Sequence, residues 1–156
     1  MKQPAPFFVT YARNDRAVAE RFLEMMKPLF QISPNYDFQL WQGAAIVPGE
    51  KWKAEIDTAL KTCRFGLLCV SPNLLASGFV SKAEFPVVLA KPAVIAVGMH
   101  PVLFDGTATL KGLREDQLFR DSQGRTFDAC GRKNGRREFG IELMARIASI
   151  LRRPVI

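Results

Sequence analysis

The chain has 156 residues, 48% of them hydrophobic and 24% charged, which fits one globular domain and excludes a disordered segment or two full domains. The longest apolar run, residues 93–104, is interrupted by Gly98 and Pro101, so we expect no membrane-spanning segment. The three cysteines lack metal-ligand spacing, so we expect reduced thiols, no metal site and a cytoplasmic location.

The first part of the chain has the pattern of a strand followed by a helix. Residues 7–11 form a short, apolar, β-prone run that predicts a buried strand. Asn14 or Asp15 can cap the helix that follows, and Pro28 and Pro34 are expected to end it. The apolar stripe of this helix, at helical spacing, consists of Val18, Phe22, Met25, Met26 and Leu29.

The middle of the chain repeats the alternation. A second strand is predicted at residues 38–41, and residues 65–70 form a continuous apolar run typical of a strand buried on both faces. Residues 74–90 should be mostly helical, with a kink or restart at Pro86, and residues 93–97 should form a fourth strand. The second helix is predicted from the stripe Trp52, Ile56, Ala59 and Leu60.

The sequence pattern that predicts strands and helices weakens after residue 99. A short fifth strand is expected near residues 125–129. The alternation predicts an α/β fold, a flavodoxin-like parallel sheet of about five strands with helices on both faces. Ligands bind such sheets beyond the carboxyl ends of the strands, which directs attention to residues 11–13, 42–48 and 71–84. A last helix is predicted from the stripe Leu143, Ile147, Ile150 and Leu151.

Several common functional motifs are absent from the sequence. It contains no GxGxxG fingerprint, no GxxxxGK[ST] phosphate loop and no GxSxG elbow. The single histidine, His100, lies in a Gly-Met-His-Pro turn, and we favour a structural or surface role for it over a catalytic triad. The sequence therefore disfavours a Rossmann dehydrogenase, a P-loop enzyme and a serine hydrolase.

The net charge of +7 is unevenly spread, and most of the excess lies near the C-terminus. It is explained either by a solvated basic face or by a patch for nucleic acid, an anionic ligand or an acidic partner domain. Aromatic residues are not interleaved with the basic ones, which disfavours direct nucleic-acid binding. The basic residues concerned are Arg132, Lys133, Arg136, Arg137, Arg146, Arg152 and Arg153.

Three blocks of sequence together resemble the TIR (Toll/interleukin-1 receptor) domain family, in its bacterial NAD-hydrolase type. Residues 7–12, FFVTYA, are similar to the family's opening strand. Residues 46–49, IVPG, with Trp52 three residues on, are similar to its I-x-P-G-x-x-W loop. Residues 68–73, LCVSPN, followed by Ser77, Phe79, Val80 and Glu84-Phe85, resemble its S-P-x-x-x-x-S-x-[FW]-[VC] … E-[LF] signature.

The resemblance implies hydrolysis or cyclisation of NAD⁺ with release of nicotinamide, and Glu84 in the position of the catalytic glutamate. NAD⁺ would be a substrate, and no cofactor is implied. A carboxylate suits this chemistry, because breaking the nicotinamide–ribose bond develops positive charge on the sugar. Two positions depart from the family pattern. Gln42 stands where many members carry aspartate, and Phe79 precedes Glu84 by five residues instead of four.

Six further residues are candidate substrate contacts, each with a structural alternative. Arg13 follows the first strand and suits bidentate hydrogen bonds to the pyrophosphate, or is simply solvated. Ser77 and Phe79 would flank the site, or else cap a helix and pack in the core. Tyr11 and Trp52 are better explained as core residues, and Gln42 is suggested by its position alone.

The loop Ala44-Ala45-Ile46-Val47-Pro48, called the 44–48 loop below, is unusually apolar. It either packs against its own domain or contacts another TIR domain, and the family commonly assembles through this loop. We expect one domain over residues 1–156, with a longer effector carrying a sensor domain as an open alternative. The resemblance further implies bacterial antiviral defence or virulence as the setting.

Two other functions stay open at this point. A non-enzymatic TIR adaptor would act only through TIR–TIR contacts. A basic nucleic-acid-binding module would depend on the C-terminal basic residues and would be sensitive to salt.

Overall fold

A computed structural model describes residues 1–131 and 133–152 of the protein. Within these residues one parallel sheet has five strands in the order β2-β1-β3-β4-β5, which confirms the predicted flavodoxin-like α/β fold. The strands are β1 (Gln3–Thr10), β2 (Tyr36–Leu40), β3 (Phe65–Val70), β4 (Val94–Gly98) and β5 (Leu118–Phe119). The helices are α1 (Arg16–Gln31), α2 (Trp52–Leu60), α3 (Pro72–Ala76), α4 (Phe85–Leu89) and α5 (Lys133–Leu151).

Two apolar layers cover the two faces of the sheet. Every residue of β3 is buried, as its continuous apolar run predicts. Along β1 the side chains alternate, so that Phe7 and Val9 face α1 and α5 while Phe8 faces α2, α3 and α4. We call these the α1/α5 face and the α2/α4 face.

The first helix is longer than predicted. It continues through Pro28 and ends at Gln31, so the expectation that Pro28 ends it is wrong. Pro28 lies in the last turn of α1, and the carbonyl that loses its donor belongs to the exposed residue Glu24, where water can replace the bond. The carbonyl of Pro28 itself accepts a hydrogen bond from the backbone N–H of Ile32 at 3.1 Å.

Residues 74–90 do not form one mostly helical segment. Helix α3 ends at Ala76, residues 77–84 form successive turns, and α4 begins at Phe85. The predicted restart at Pro86 is confirmed, because this proline lies in the first turn of α4, where a missing N–H removes no helical hydrogen bond. The restart places Glu84 immediately before the first residue of a new helix.

The fifth strand was predicted in the wrong place. It consists of Leu118 and Phe119, which pair with Ala96 and Val97 of β4. The segment predicted instead, residues 125–129, runs past the end of β4 as a loop that leads into a 3₁₀ turn (Asp128–Cys130). Its Phe127 and Asp128 donate backbone hydrogen bonds of 2.9 Å to the carbonyls of Gly98 and Met99. A two-residue strand is too short to produce a periodic signal.

The boundaries of the other strands shift by a few residues. The second strand begins at Tyr36, and Trp41 lies in the short 3₁₀ turn that follows it. Arg132 and Arg153 of the predicted basic region lie outside the described residues, as does the side chain of Lys133. In the part of the chain that the structure covers, no helix combines the length and apolarity needed to cross a bilayer.

Candidate functional site

Strand order reverses beside β1, because β2 lies on one side of it and β3 on the other. The carboxyl ends of β1 and β3 therefore border the crevice where parallel sheets of this kind bind ligands. The 44–48 loop returns to this point and adds a short parallel bridge to β1. The backbone N–H of Ile46 donates to the carbonyl of Val9 at 2.8 Å, and that of Tyr11 donates to the carbonyl of Ile46 at 3.3 Å.

A buried aspartate joins the loops that follow β1 and β3. Asp15 is only 3% exposed, and its carboxylate accepts a hydrogen bond from Asn73 Nδ2 at 2.8 Å and another from the Ser71 hydroxyl. Ser71 Oγ in turn accepts from the backbone N–H of Leu74 at 3.1 Å and caps α3. Sequence reasoning proposed Asp15 only as a helix cap, a role its side chain does not perform.

The first turns of α2 and α4 meet beside the end of β1. The Trp52 indole is 1% exposed and donates from Nε1 to Thr10 Oγ1 at 2.9 Å. Its ring lies 6.3 Å, centroid to centroid, from the ring of Phe85. Trp52 is therefore a core residue that fixes two helices to β1, and its ring is not presented to a ligand in this structure.

Glu84 is exposed and directly precedes Phe85. Its backbone N–H donates to Ser81 Oγ at 3.0 Å, but its carboxylate makes no hydrogen bond or ion pair with any residue the structure describes. The pKa of Lys53, on the first turn of α2, is raised mainly by a hydrogen bond to Asp57, and the charge of Glu84 contributes to the same rise. Glu84 thus lies at the end of the molecule where α2 begins.

Ser77 and Phe79 lie on the same turn segment as Glu84. The Ser77 hydroxyl accepts a hydrogen bond from the backbone N–H of Phe79 at 3.3 Å. Phe79 is 51% exposed, so it is not the core residue that the structural alternative required. An exposed aromatic ring is available for stacking on a ligand or a partner.

The three other candidate contacts are more dispersed. Arg13 is exposed in the turn after β1 and makes no ion pair within residues 1–131 and 133–152. Tyr11 packs on the α1/α5 face, opposite to Trp52 and Phe85, and partial burial raises the pKa of its phenol. Gln42 adopts a left-handed conformation, with φ of 52°, and lines a cavity of about 560 Å³ between the 44–48 loop and α2.

The 44–48 loop is partly packed against its own domain. Ile46 is 8% exposed and belongs to the core of the α2/α4 face. Ala44 is exposed, and Ala45, Val47 and Pro48 are half-buried. A partner protein would therefore contact Ala44 and the half-buried residues of this loop, and would not contact the buried side chain of Ile46.

The cysteine thiols are poorly suited to nucleophilic chemistry. All three are free and buried, and burial raises the pKa of both Cys63 and Cys130 to about 11. Burial also raises the pKa of Cys69. Among the described residues there is no group of three or more His, Cys, Asp or Glu side chains arranged to hold a metal ion.

Part of the predicted basic region contacts other residues of its own domain. Arg136 lies over the ring of Phe127, 5.0 Å from its centroid, and its Nη2 is 3.8 Å from a carboxylate oxygen of Asp128. The other carboxylate oxygen of Asp128 is 3.2 Å from His100 Nδ1. His100 and Arg136 thus share a structural partner, which reduces the charge available to bind nucleic acid.

Comparison with protein families matches residues 7–133 to the model described as TIR domain. The match includes the 44–48 loop, the buried Asp15 group and Glu84. A search of curated proteins found no match, and a search of solved structures found none.

Proposed function

The chain belongs to the TIR domain family, and from this premise we propose that it cleaves the nicotinamide–ribose bond of NAD⁺, with Glu84 as the catalytic carboxylate. The proposal depends on one observation, an exposed carboxylate with no partner among the described residues at the start of α4. The contacts from Phe85 to Trp52 and from Trp52 to Thr10 tie the neighbouring residue to the end of β1. The residue that follows Glu84 is therefore held beside the crevice.

The reaction breaks the bond between C1′ of the ribose and the pyridinium nitrogen. The electron pair of that bond leaves with nicotinamide, which becomes neutral, and positive charge develops on C1′ and the ring oxygen. An ionised Glu84 next to the sugar stabilises this charge, as carboxylates do in glycoside hydrolysis. Water then adds at C1′ and loses a proton to give ADP-ribose. Addition of an adenine nitrogen at C1′ gives a cyclic ADP-ribose instead.

The proposed contacts follow from where the candidate residues lie. Arg13, exposed after β1, binds the pyrophosphate by paired hydrogen bonds. Phe79 stacks on a ring of the ligand, while Ser77 and Gln42 offer polar groups at the edges of the site. Tyr11 and Trp52 act through packing, since one lies on the α1/α5 face and the other is buried.

We further propose that assembly regulates the activity. TIR domains commonly self-associate, and an exposed carboxylate gains catalytic strength when a neighbouring molecule excludes water from it. Ala44 and the rim of the 44–48 loop are the proposed contact. Bacterial antiviral defence, or action as a virulence effector, remains the proposed setting on the strength of the family resemblance.

The test is nicotinamide release from NAD⁺ by the wild-type chain and by Glu84→Gln at high protein concentration. Removing one charge from the transition state should slow the reaction by about a hundredfold to a thousandfold. Glu24→Gln, an exposed glutamate on the opposite face of the sheet, is the matched control and should keep wild-type activity. Equal rates for Glu84→Gln and the wild type would refute the assignment.

The open surroundings of Glu84 favour one alternative, a TIR adaptor without enzymatic activity. A carboxylate that is exposed on the isolated chain has no means of excluding water by itself. An adaptor would self-associate in sedimentation experiments and release no nicotinamide at the concentrations where it is assembled.

A further inference from the structure

The segment that carries Glu84, residues 77–84, has no regular secondary structure, and we call it the strap. Two local turns support it, one closed by a 3.1 Å hydrogen bond from the N–H of Val80 to the carbonyl of Ser77. The other is closed by a 2.9 Å bond from the N–H of Phe85 to the carbonyl of Ser81. Of the side chains on the strap only Val80 is buried, in the core of the α2/α4 face, while the others are exposed or half-buried. An exposed side chain such as that of Glu84 therefore needs further support to keep one position.

Lys111 supplies such support from the loop between β4 and β5. Its ammonium donates a 2.8 Å hydrogen bond to the carbonyl of Ser77 and a second bond to the carbonyl of Val80. These two carbonyls mark the two ends of the first turn of the strap. One charged group therefore holds both ends, and bonds from a charged donor are stronger than those between neutral groups.

The same loop also lies against the first turn of α4, just after the strap ends. Gly112 has φ of +91°, and a Cβ there would lie 2.8 Å from Cγ of Pro86, two residues after Glu84. Lys111 itself adopts a left-handed conformation, with φ of 53°. For a residue other than glycine this conformation costs about 1 kcal/mol or more, so surrounding contacts must hold it.

We propose that Lys111 is a positioning residue that clamps the strap and thereby holds Glu84 in place for catalysis. The proposal rests on the function proposed above only in its second part, the effect on Glu84. The clamp itself, the two hydrogen bonds from Lys111 to the strap, can be tested without measuring enzymatic activity.

The kinetic test is Lys111→Met, which keeps most of the side-chain length and removes the ammonium. We expect kcat to fall on the order of tenfold to a hundredfold, because misplacing a catalytic group by about 1 Å has effects of up to this size. KM is expected to rise as well, because the proposed ligand contacts Ser77 and Phe79 lie on the same strap, so rates are compared at saturating NAD⁺. Lys111→Arg retains the charge and should recover much of the rate, and Lys61→Met, at an exposed position, is the matched control.

A double variant separates positioning from general damage. In the Glu84→Gln background, Lys111→Met should cause little further loss, because the group that it positions is already disabled. Equal loss in both backgrounds would overturn the assignment, as would an unchanged kcat. Gly112→Ala would displace Pro86 in the first turn of α4, two residues after Glu84, and should reproduce the fall in kcat.

Hydrogen exchange tests the clamp whether or not the chain is an enzyme. In Lys111→Met the amides of Val80 and Phe85 should exchange at least about tenfold faster, while those of β3 remain protected. Unchanged exchange at Val80 and Phe85 would overturn the clamp. If the wild type released no nicotinamide but exchange rose as expected, the proposed function would fail while the clamp stood.

Discussion

Two acidic residues at the carboxyl edge of the sheet have opposite environments. Asp15 is buried, and both of its carboxylate oxygens accept hydrogen bonds from side chains that follow β3. Glu84 is exposed and has no side-chain partner among the residues described. A buried carboxylate is tolerated only when it is fully paired, so Asp15 is suited to holding loops together. The unpaired carboxylate is the one free to act on a ligand.

Replacing Asp15 by alanine should lower the free energy of unfolding by about 2–3 kcal/mol. The change leaves the buried Ser71 hydroxyl and the Asn73 amide without their acceptor. Urea denaturation followed by circular dichroism measures the difference. Asp116→Ala, at a position whose side chain is 72% exposed, should change stability by less than about 0.5 kcal/mol. If both variants were equally stable, the hydrogen bonds of Asp15 would not stabilise the contact between the loops that follow β1 and β3.

The close packing of β1 against β3 requires a residue without a side chain at Gly66. Gly66 is the second residue of β3, and a Cβ atom there would overlap the ring of Phe8 on β1. Phe8 is fully buried, so its ring has no free space to move into. The backbone conformation of Gly66 is ordinary, and close packing of the neighbouring strand is what requires glycine here.

The variant Gly66→Ala should lower the free energy of unfolding by about 1–3 kcal/mol, the usual result of overpacking a core. Gly49→Ala is the matched control, because a Cβ at Gly49 meets no atom within 4 Å. Thermal melts of the two variants next to the wild type measure the effect. Equal melting temperatures for both variants would show that Phe8 can move aside.

The short helices α3 and α4 illustrate the same dependence on packing. Each has five residues, too few to be stable as an isolated helix. Their buried apolar residues, Leu74 and Leu75 in α3 and Phe85 and Val88 in α4, attach them to the α2/α4 face. The start of α4, and with it Glu84, is therefore positioned by tertiary contacts.

At the scale of the whole molecule, the net charge bears on the proposed association between copies. The net charge of +7 opposes self-association through repulsion between copies, and salt weakens this repulsion. If a neighbouring copy completes the site, specific activity should rise with protein concentration and with moderate salt. The exposed residue Ala44 is the position on the 44–48 loop where a contact can be blocked without disturbing the core.

The variant Ala44→Asp should weaken self-association and remove the rise of specific activity with protein concentration. An unpaired carboxylate buried in a contact costs several kcal/mol, while the isolated domain keeps its stability because Ala44 faces solvent. Sedimentation velocity and nicotinamide release, measured over the same concentration series, provide the test. Ala17→Asp, at an exposed position on α1, is the control. Unaltered association of Ala44→Asp would place the contact elsewhere.

Features that depend on local pattern could be predicted from the amino-acid sequence alone. Strand β3 was predicted at its observed limits, because a strand buried on both faces is a continuous apolar run. The stripe from Val18 to Met26 predicted the buried side of α1, and alternation along the chain predicted the parallel sheet. The three sequence blocks were also sufficient to indicate the TIR family, which the match over residues 7–133 confirms.

Contacts that join distant segments of the chain become visible only in the folded molecule. Asp15 and Ser71 are 56 positions apart, and Lys111 reaches back 34 positions to Ser77. The two-residue strand β5 exists because β4 offers it an edge to pair with. No local pattern marks these contacts, since each depends on backbone atoms and burial that arise only when the sheet is assembled. For the same reason, Glu84 could be identified as a candidate from the sequence, whereas the hydrogen bonds from Lys111 to its segment could not.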